Sequence, residues 1–455
     1  TMNLGSFTFE GSTTATDSLI EIDALLGADQ GVTVATSTES DFIDINGSNA
    51  TGVTKVRIAD AEPGTAGVNS PDGLMVISTQ FESDAGAFVL ENGAINKGLW
   101  QYDLHYAEGS GGYSGDASEW YLASAVSDQG FELPVMHTAA QETFFASAGS
   151  VYSRVRDLRD LSAEGVEHDG GAWFRAIGEE VTRETRNRQT QSVYGTLSIH
   201  NTDYNQDIGG VLFGVDRVIG DTGNWVVGFM AGGLRSEVNF DHTTTTMDQT
   251  AATAGFYASF TNGTGYFNAL LKGDFGKTDY KTSINPQLDH DHSFNTTAFG
   301  GRLDGGYRFG GDGGFIEPSL SVATVSSDIE DEDMLNTDVE FGSSSNTRAR
   351  ASLGLGYTGS LGGLTIEPVL ELAAVYQSDG ENEVGLTSAG EDTVRVKDTR
   401  LEEYGEVSFV VNMAGASGSG AFLRVDHVPE QDRDTVAADT QTESTAVELG
   451  VRLLW

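Results

Sequence analysis

Four stretches of this chain carry residue types that could do chemistry, and none has the spacing its chemistry needs. Gly273-Asp274-Phe275-Gly276-Lys277-Thr278 ends like a phosphate-binding loop, but the position five before Gly276 is Leu271. Without a glycine there, the backbone amides cannot close around a phosphate. Gly415-Ala416-Ser417-Gly418-Ser419 approaches a nucleophile elbow and ends in Ser where the sharp turn asks for Gly. His290-Asp291-His292 offers two imidazoles with no third ligand at a zinc-site spacing, so a solvated loop is the expectation. Asp328-Ile329-Glu330-Asp331-Glu332-Asp333 could gather calcium, but it lacks the Gly and the final Glu of a calcium loop and reads as a solvated acidic segment. Asn262-Gly263-Thr264 matches a glycosylation acceptor only by its letters, in what reads as a short turn. The chain has no Cys, which excludes disulfides, thiolate zinc sites and a cysteine nucleophile. The expectation is a protein with no catalytic residue, no metal and no cofactor.

The elements that would carry such residues must therefore serve something else, and composition narrows what. Of 455 residues, 58 are Gly, well above the roughly 7 % of ordinary proteins. Lys and Arg number 25 against 68 Asp and Glu, a net charge of −43. Phosphate backbones are held by clustered Lys and Arg, so nucleic acid is excluded as a general partner. No run approaches the ~18 apolar residues of a membrane helix. The longest, Trp225 to Leu234, contains three glycines. A transmembrane barrel would show alternation instead of such runs. No signal peptide opens the chain, and Thr1 begins in mid-pattern, as a piece of a longer precursor would.

Three regions follow one another. Residues 1–125 hold 18 acidic and 3 basic side chains in short β-type runs such as Ser6–Glu10 and Asp41–Ile45, separated by Gly, Asn, Ser and Thr. Residues 126–167 contain helix formers after Pro134, with no internal proline. Residues 168–455 return to strands, now longer and regular. Ala351, Leu353, Leu355 and Tyr357 alternate with Arg350, Ser352, Gly354 and Gly356. Ile366, Pro368, Leu370 and Leu372 alternate with Thr365, Glu367, Val369 and Glu371. The polar phase combines full charges with Gly, Ser and Ala, as a crowded polar lumen would.

Short connections (Gly220–Gly223, Thr261–Gly265, Gly310–Gly314, Gly359–Gly363, Met413–Gly420) alternate with long ones near 182–206, 237–249, 278–293, 328–346, 378–399 and 428–442. Short turns at one rim and long loops at the other are the layout of an outer-membrane barrel. Six long and five short connections require twelve strands, and closure leaves no edge unpaired in lipid. The chain ends Glu448-x-Gly450-x-x-Leu453-x-Trp455, which would set a terminal aromatic at the periplasmic interface.

These features resemble the autotransporters of type V secretion, of the pertactin-like kind. The resemblance rests on Gly210–Arg217 (GVLFGVDR), Trp225–Gly233 (WVVGFMAGG), Gly306–Phe309 (GYRF), the Ile-Glu-Pro strands Phe315–Leu320 and Leu364–Leu370, and the terminal strand. Upstream, Ser40–Gly47 is similar to a recurrent passenger rung, and Gly86–Leu90, Trp100–Leu104 and Trp120–Ser124 follow the order of a passenger's end. The resemblance implies an all-β fold: a twelve-stranded antiparallel transmembrane barrel, a pore-spanning helix, and the last rungs of a right-handed parallel β-helix outside the cell. It implies that Glu448, Gly450, Leu453 and Trp455 are read by the barrel assembly machinery. It also implies that Trp100, Tyr102, Trp120 and Tyr121 close the β-helix as an autochaperone cap.

The helix region is too polar to face lipid. Its Arg154, Arg156, Asp157, Arg159 and Asp160 are expected to meet lumen carboxylates such as Glu367, Glu371 or Glu448. Expected partners are outer-membrane lipid and lipopolysaccharide, the assembly machinery and periplasmic chaperones, around a monomeric barrel. The expected function is export and surface display of the chain's own N-terminal passenger. The rivals are a diffusion pore carrying a surface domain and an adhesin whose binding region lies upstream of residue 1. No Asn occurs between Ala125 and Asp160, so cleavage inside the barrel by asparagine cyclisation is not expected.

Overall fold

The computed structural model describes residues 2–4, 9–10, 18–26, 40–63, 65, 67–71, 73–108, 117–164, 169–190, 197–220, 224–285, 288–310, 313–378, 382–388, 392–434 and 438–455. Twelve antiparallel strands form a closed barrel. They are β1 Gly170–Thr190, β2 Tyr204–Ile219, β3 Trp225–Phe240, β4 Thr246–Thr261, β5 Gly265–Asn285 and β6 Leu288–Tyr307, continued by β7 Gly314–Ile329, β8 Ser343–Tyr357, β9 Leu364–Gln377, β10 Glu403–Ala414, β11 Gly420–Asp434 and β12 Ala438–Leu454. Closure is made by β12 on β1, paired from Gly171↔Leu454 to Asn187↔Ala438.

Alternation sets the two faces. Leu449, Val451, Leu453 and Trp455 are exposed, while Glu448, Gly450 and Arg452 between them point into the lumen and are buried. The same inversion runs round the barrel through Phe213, Phe256, Leu271, Phe299, Leu320, Leu353 and Leu370. An exposed apolar band around a polar interior is what lipid requires of a barrel. Trp225, Tyr307, Phe309, Tyr357 and Trp455 stand outward near the short-turn rim, as an aromatic girdle.

Register is pinned by rings lying over glycines of the next strand. Trp173↔Gly214, Gly228↔Tyr257, Tyr266↔Gly306, Phe315↔Gly356 and Phe422↔Gly450 are all direct cross-strand partners. A Cβ at Gly450 would stand 1.9 Å from Phe422 Cε1, and one at Gly356 2.1 Å from Phe315 Cζ. A slip by one residue would swap lumen and lipid faces and destroy these contacts.

The connections differ from the sequence expectation at one rim. The short turns stand, but four of the expected long loops are largely ladder, the first of them because Leu197–Asn201 pairs back on Arg186–Thr190 of β1. β3 and β4 pair up to Asn239↔Thr246, β5 and β6 up to Asn285↔Leu288, and β11 and β12 up to Asp434↔Asp439. These upper ends alternate polar with polar, so hydropathy loses them although backbone pairing continues above the apolar band. True long connections remain at 330–342 and 378–402. Together they build a four-stranded sheet from Glu332–Met334, Thr337–Glu340, Asn382–Ser388 and Val394–Asp398. Leu335 and Asn336 both have positive φ, 57° and 56°, as a two-residue hairpin turn of this hand demands.

Before the barrel, three parallel ladders stack: Leu19–Ala24 on Thr54–Asp60 on Phe88–Leu90, Met2–Leu4 on Ile43–Ile45 on Leu74–Thr79, and Phe9–Glu10 on Ala50–Thr51. Antiparallel strands Ser118–Val126, Trp100–Glu108 and Ile95–Lys97 then extend the second ladder. The expected rung at Ser40–Gly47 includes Ile43–Ile45, whereas residues 6–8 of the Ser6–Glu10 run lie outside the described residues. Two helices lead inward, α1 Asp128–Glu132 and α2 Val135–Glu164, with α2 inside the barrel.

Candidate functional site: the helix-filled lumen and its outer mouth

The helix can occupy a confined lumen because it satisfies much of its own polarity. Thr143 Oγ1 donates to the Ala139 carbonyl at 2.8 Å and Ser147 Oγ to the Thr143 carbonyl at 3.0 Å. Its apolar side chains Phe144, Phe145, Ala148 and Val151 pack on Leu212, Met230, Leu234, Leu270 and Ala298. That seat lies on β2–β7, so the helix leans against one half of the wall.

Deeper in the lumen the helix is locked by a charge. Arg154 grips Asp216 with both ends of its fork, Nε at 2.9 Å and Nη2 at 3.0 Å, and both side chains are wholly buried. Tyr257 donates to the same carboxylate at 2.7 Å, and Trp173 Nε1 donates to the Tyr257 hydroxyl at 2.8 Å. Arg154 was expected to meet a lumen carboxylate such as Glu367, Glu371 or Glu448; it does meet one, but the partner is Asp216. Those carboxylates pair with barrel arginines: Glu367 with Arg308 at 2.7 Å, Glu371 with Arg350 at 2.6 Å and Glu448 with Arg175 at 2.8 Å. Glu371 and Glu448 find their cations on the strand beside them, at lower entropic cost than a reach across the lumen, and Arg308 reaches Glu367 from just past the end of β6. The side chains of Arg156, Asp157, Arg159 and Asp160 lie outside the described residues.

At the outer mouth a buried polar cluster clamps the helix to the long connections. Asn382 Nδ2 donates to Thr138 Oγ1 at 2.6 Å, Thr138 donates to Asp398, and Arg400 Nη1 donates to Gln141 Oε1 at 2.8 Å. His137 contacts Ser327 Oγ and the Phe341 carbonyl at 2.8 and 3.2 Å. Glu142 pairs with Arg348 at 2.8 Å. Sequence reading missed Asp216, Asn382, Asp398 and Arg400. Asp216 does carry a signal, a lone carboxylate in the lumen phase between outward Val215 and Arg217, but nothing local names its partner.

Above the mouth one hydrophobic core runs from the N-terminal region into the barrel's loops. Trp100, Tyr102, Trp120 and Leu122 join Phe131 and Leu133 beside α1 and Val339, Val384, Leu386 and Val396 of the four-stranded sheet. Trp100 Nε1 donates to Thr337 Oγ1 at 3.1 Å, and the backbone N–H of Asn69 donates to Ser388 Oγ at 2.8 Å. Trp120 meets Phe88 edge-on at 4.8 Å. The Tyr102 hydroxyl donates to the Val68 carbonyl at 2.6 Å, and burial raises its pKa. Tyr121 is half-buried, outside this core, with its hydroxyl on Glu119 at 2.7 Å. In α1, Glu132 sits against Thr243 at the tip of the β3–β4 hairpin, and burial pushes its carboxyl up to about 8.

Of the terminal residues, Glu448 and Gly450 face inward under Arg175 and Phe422, while Leu453 and Trp455 face outward. The Trp455 backbone bridges to β1, its N–H donating to the Gly170 carbonyl at 3.2 Å. His292 pairs with Glu332 at 3.1 Å, and Asp331 accepts the Phe341 N–H at 2.7 Å. No group of three or more metal-type ligands occurs among the described residues.

The sequence profile of the autotransporter beta-domain matches residues 172–426, more than half of the chain. Among solved structures, the beta domain of the Bordetella autotransporter BrkA is 17% identical, with a TM-score of 0.44, covering 63% of this chain and 100% of that one. The translocator domain of NalP from Neisseria meningitidis is 13% identical with a TM-score of 0.40, covering 70% and 99%. The transport unit of AIDA-I from Escherichia coli is 13% identical with a TM-score of 0.43, covering 66% and 98%. No curated protein sequence matches. The chain belongs to the autotransporter beta-domain family, and its twelve-stranded barrel is an outer-membrane translocator domain of the Gram-negative envelope.

Proposed function

We propose that this barrel exports and displays the chain's own N-terminal region, and that residues 1–125 are the end of that passenger. One observation carries the reading. The chain passes from the aromatic-rich core above the outer mouth, down through the lumen as α2, to β1 at the short-turn rim. Short turns face the periplasm in such barrels, so this path joins outside to inside within one polypeptide.

The stacked parallel ladders support a β-helical passenger, since Ile43 pairs with Ile77 and Lys55 with Val89, each 34 positions on. Trp100, Tyr102 and Trp120 suit a cap over the last rungs. Glu448, Gly450, Leu453 and Trp455 suit recognition by the assembly machinery, with periplasmic chaperones, membrane lipid and lipopolysaccharide as the other partners of a monomeric barrel. A diffusion pore with a surface domain is the rival, and the helix filling the lumen speaks against it. Protease added to intact cells tests the proposal. Residues 1–125 should be removable from outside while the barrel keeps its size, and digestion only after the outer membrane is opened would refute it.

A further inference from the structure

The lumen wall has two unlike halves. The seat on β2–β7 meets the helix chiefly through apolar side chains, Leu212, Met230, Leu234, Leu270, Ala323 and Val325, with one buried ion pair, Lys272 on Asp274, set against Phe144. The half formed by β8–β12 and β1 is lined by Arg350, Glu371, Glu406, Arg424, Asp426 and Glu448. Most of its charges are matched within the wall; the exceptions are Arg348, which pairs with Glu142 of the helix, and Glu179, which lines the same space. Arg350 lies 2.6 Å from Glu371 and 2.7 Å from Glu406, Arg424 lies 2.8 Å from Asp426, and Glu448 is held by Arg175 at 2.8 Å. The helix leaves a cavity of about 180 Å³ on this side, from Gln377 and Arg183 at its upper end past Ser444 and Ala446 to Glu448. At roughly 10–15 Å³ per water position, the cavity admits on the order of ten waters.

We propose that this charged crescent is the polypeptide track, the surface along which the upstream chain slides in extended form while α2 rests on the apolar seat. The proposal rests on the export reading above. Its occupant is this chain's own residues 1–125, which carry 18 acidic and 3 basic side chains. An apolar wall would trap every exposed Leu or Phe that passed. A wall of free arginines would capture the acidic segment, and a wall of free carboxylates would repel it. Arginines already bonded to wall carboxylates, and bathed in water, do neither. Arg154 on Asp216 fixes the deeper part of the helix on the seat side, while above it Glu142 reaches Arg348 at the upper end of the crescent, so the cavity is what remains of the track once the chain is home.

The native chain has no Cys, which makes a disulfide test unambiguous. A domain that folds in the periplasm, appended ahead of Thr1, stalls export with upstream residues in the lumen. Single cysteines at positions 3–20 of the stalled chain, next to the block, are paired with one barrel cysteine, Ser444→Cys or Ala446→Cys on the track, Leu212→Cys or Leu270→Cys on the seat. Copper phenanthroline serves as the oxidant. Track positions should give at least tenfold more cross-linked chain than seat positions. Equal yields, or more from the seat, would overturn the track. Cross-links nowhere, with residues 1–125 never accessible to external protease in the unfused protein, would instead overturn the export reading on which it stands.

Discussion

Replacing Asp216 by Ala removes the acceptor of the Arg154 fork while leaving the guanidinium where it is. The two contacts are 2.9 and 3.0 Å, neither side chain reaches solvent, and Tyr257 loses its partner at 2.7 Å as well. Breaking one side of a buried pair costs about 3–5 kcal/mol, because a charge is left desolvated without compensation. At about 1.4 kcal/mol per tenfold, the equilibrium between seated and displaced helix should shift by roughly two to three and a half orders of magnitude. Planar-bilayer conductance of the purified protein reads this directly, as the fraction of time spent in large-conductance states. Asp216→Ala should raise that fraction steeply. Arg154→Met combined with Asp216→Leu should return it near the wild-type value, since a buried pair replaced by apolar groups of similar size is close to neutral. The reasoning fails if Asp216→Ala conducts like the wild type, or if the double variant is as open as the single one.

The remaining expectations concern register, cap and mouth. Gly450→Ala places a Cβ 1.9 Å from Phe422 Cε1 and should cost about 1–3 kcal/mol in detergent unfolding, with much of the loss relieved in combination with Phe422→Ala; additive effects would show that the ring and the glycine are not coupled. Trp120→Ala should cost about 3–5 kcal/mol in the region above the mouth and speed proteolysis of residues 86–124 well beyond the wild-type rate, with the heat-modifiable barrel band unchanged. Glu132 is protonated well above the ordinary carboxylate range, at about 8, so the folded mouth binds a proton that the unfolded chain releases. Docking of α1 should therefore be strongest below about 4.5, weaken as pH rises towards 8, and level off above it; hydrogen exchange of 128–133 checks this, and Glu132→Gln should flatten the profile.

The barrel was legible because the lipid imposes a rule that short sequence windows record. Leu449, Val451, Leu453 and Trp455 must all face out, and alternation says so without knowledge of any neighbour. The same rule goes silent above the bilayer, where Lys277, Asp279 and Lys281 face water on a strand that still pairs with β6. Hence the upper ladders read as loops. Trp100 and Trp120 were visible as large apolar area, but the surface they close on was not. Thr337, Val339 and Leu386 come from connections more than two hundred residues downstream. Lumen pairing was the least legible feature. Arg154 could be placed in the pore by polarity alone, yet its choice of Asp216 depends on how far the helix descends and which wall it leans on. Both are settled by Phe144, Phe145 and Val151 packing on strands that lie distant in sequence.

The central claim is that the N-terminal region stands outside the cell and remains joined, through the lumen, to a barrel whose short turns face the periplasm. Single cysteines at Glu82, Ser343 and Ser417, treated on intact cells with a thiol reagent that cannot cross the outer membrane, test it in one experiment. Glu82 is exposed in the N-terminal region, Ser343 opens β8 at the outer rim, and Ser417 lies in the short turn between β10 and β11. Labelling at positions 82 and 343, with position 417 reacting only after permeabilisation, is the expected result. Labelling of position 417 on intact cells, or protection of position 82 on them, would contradict it.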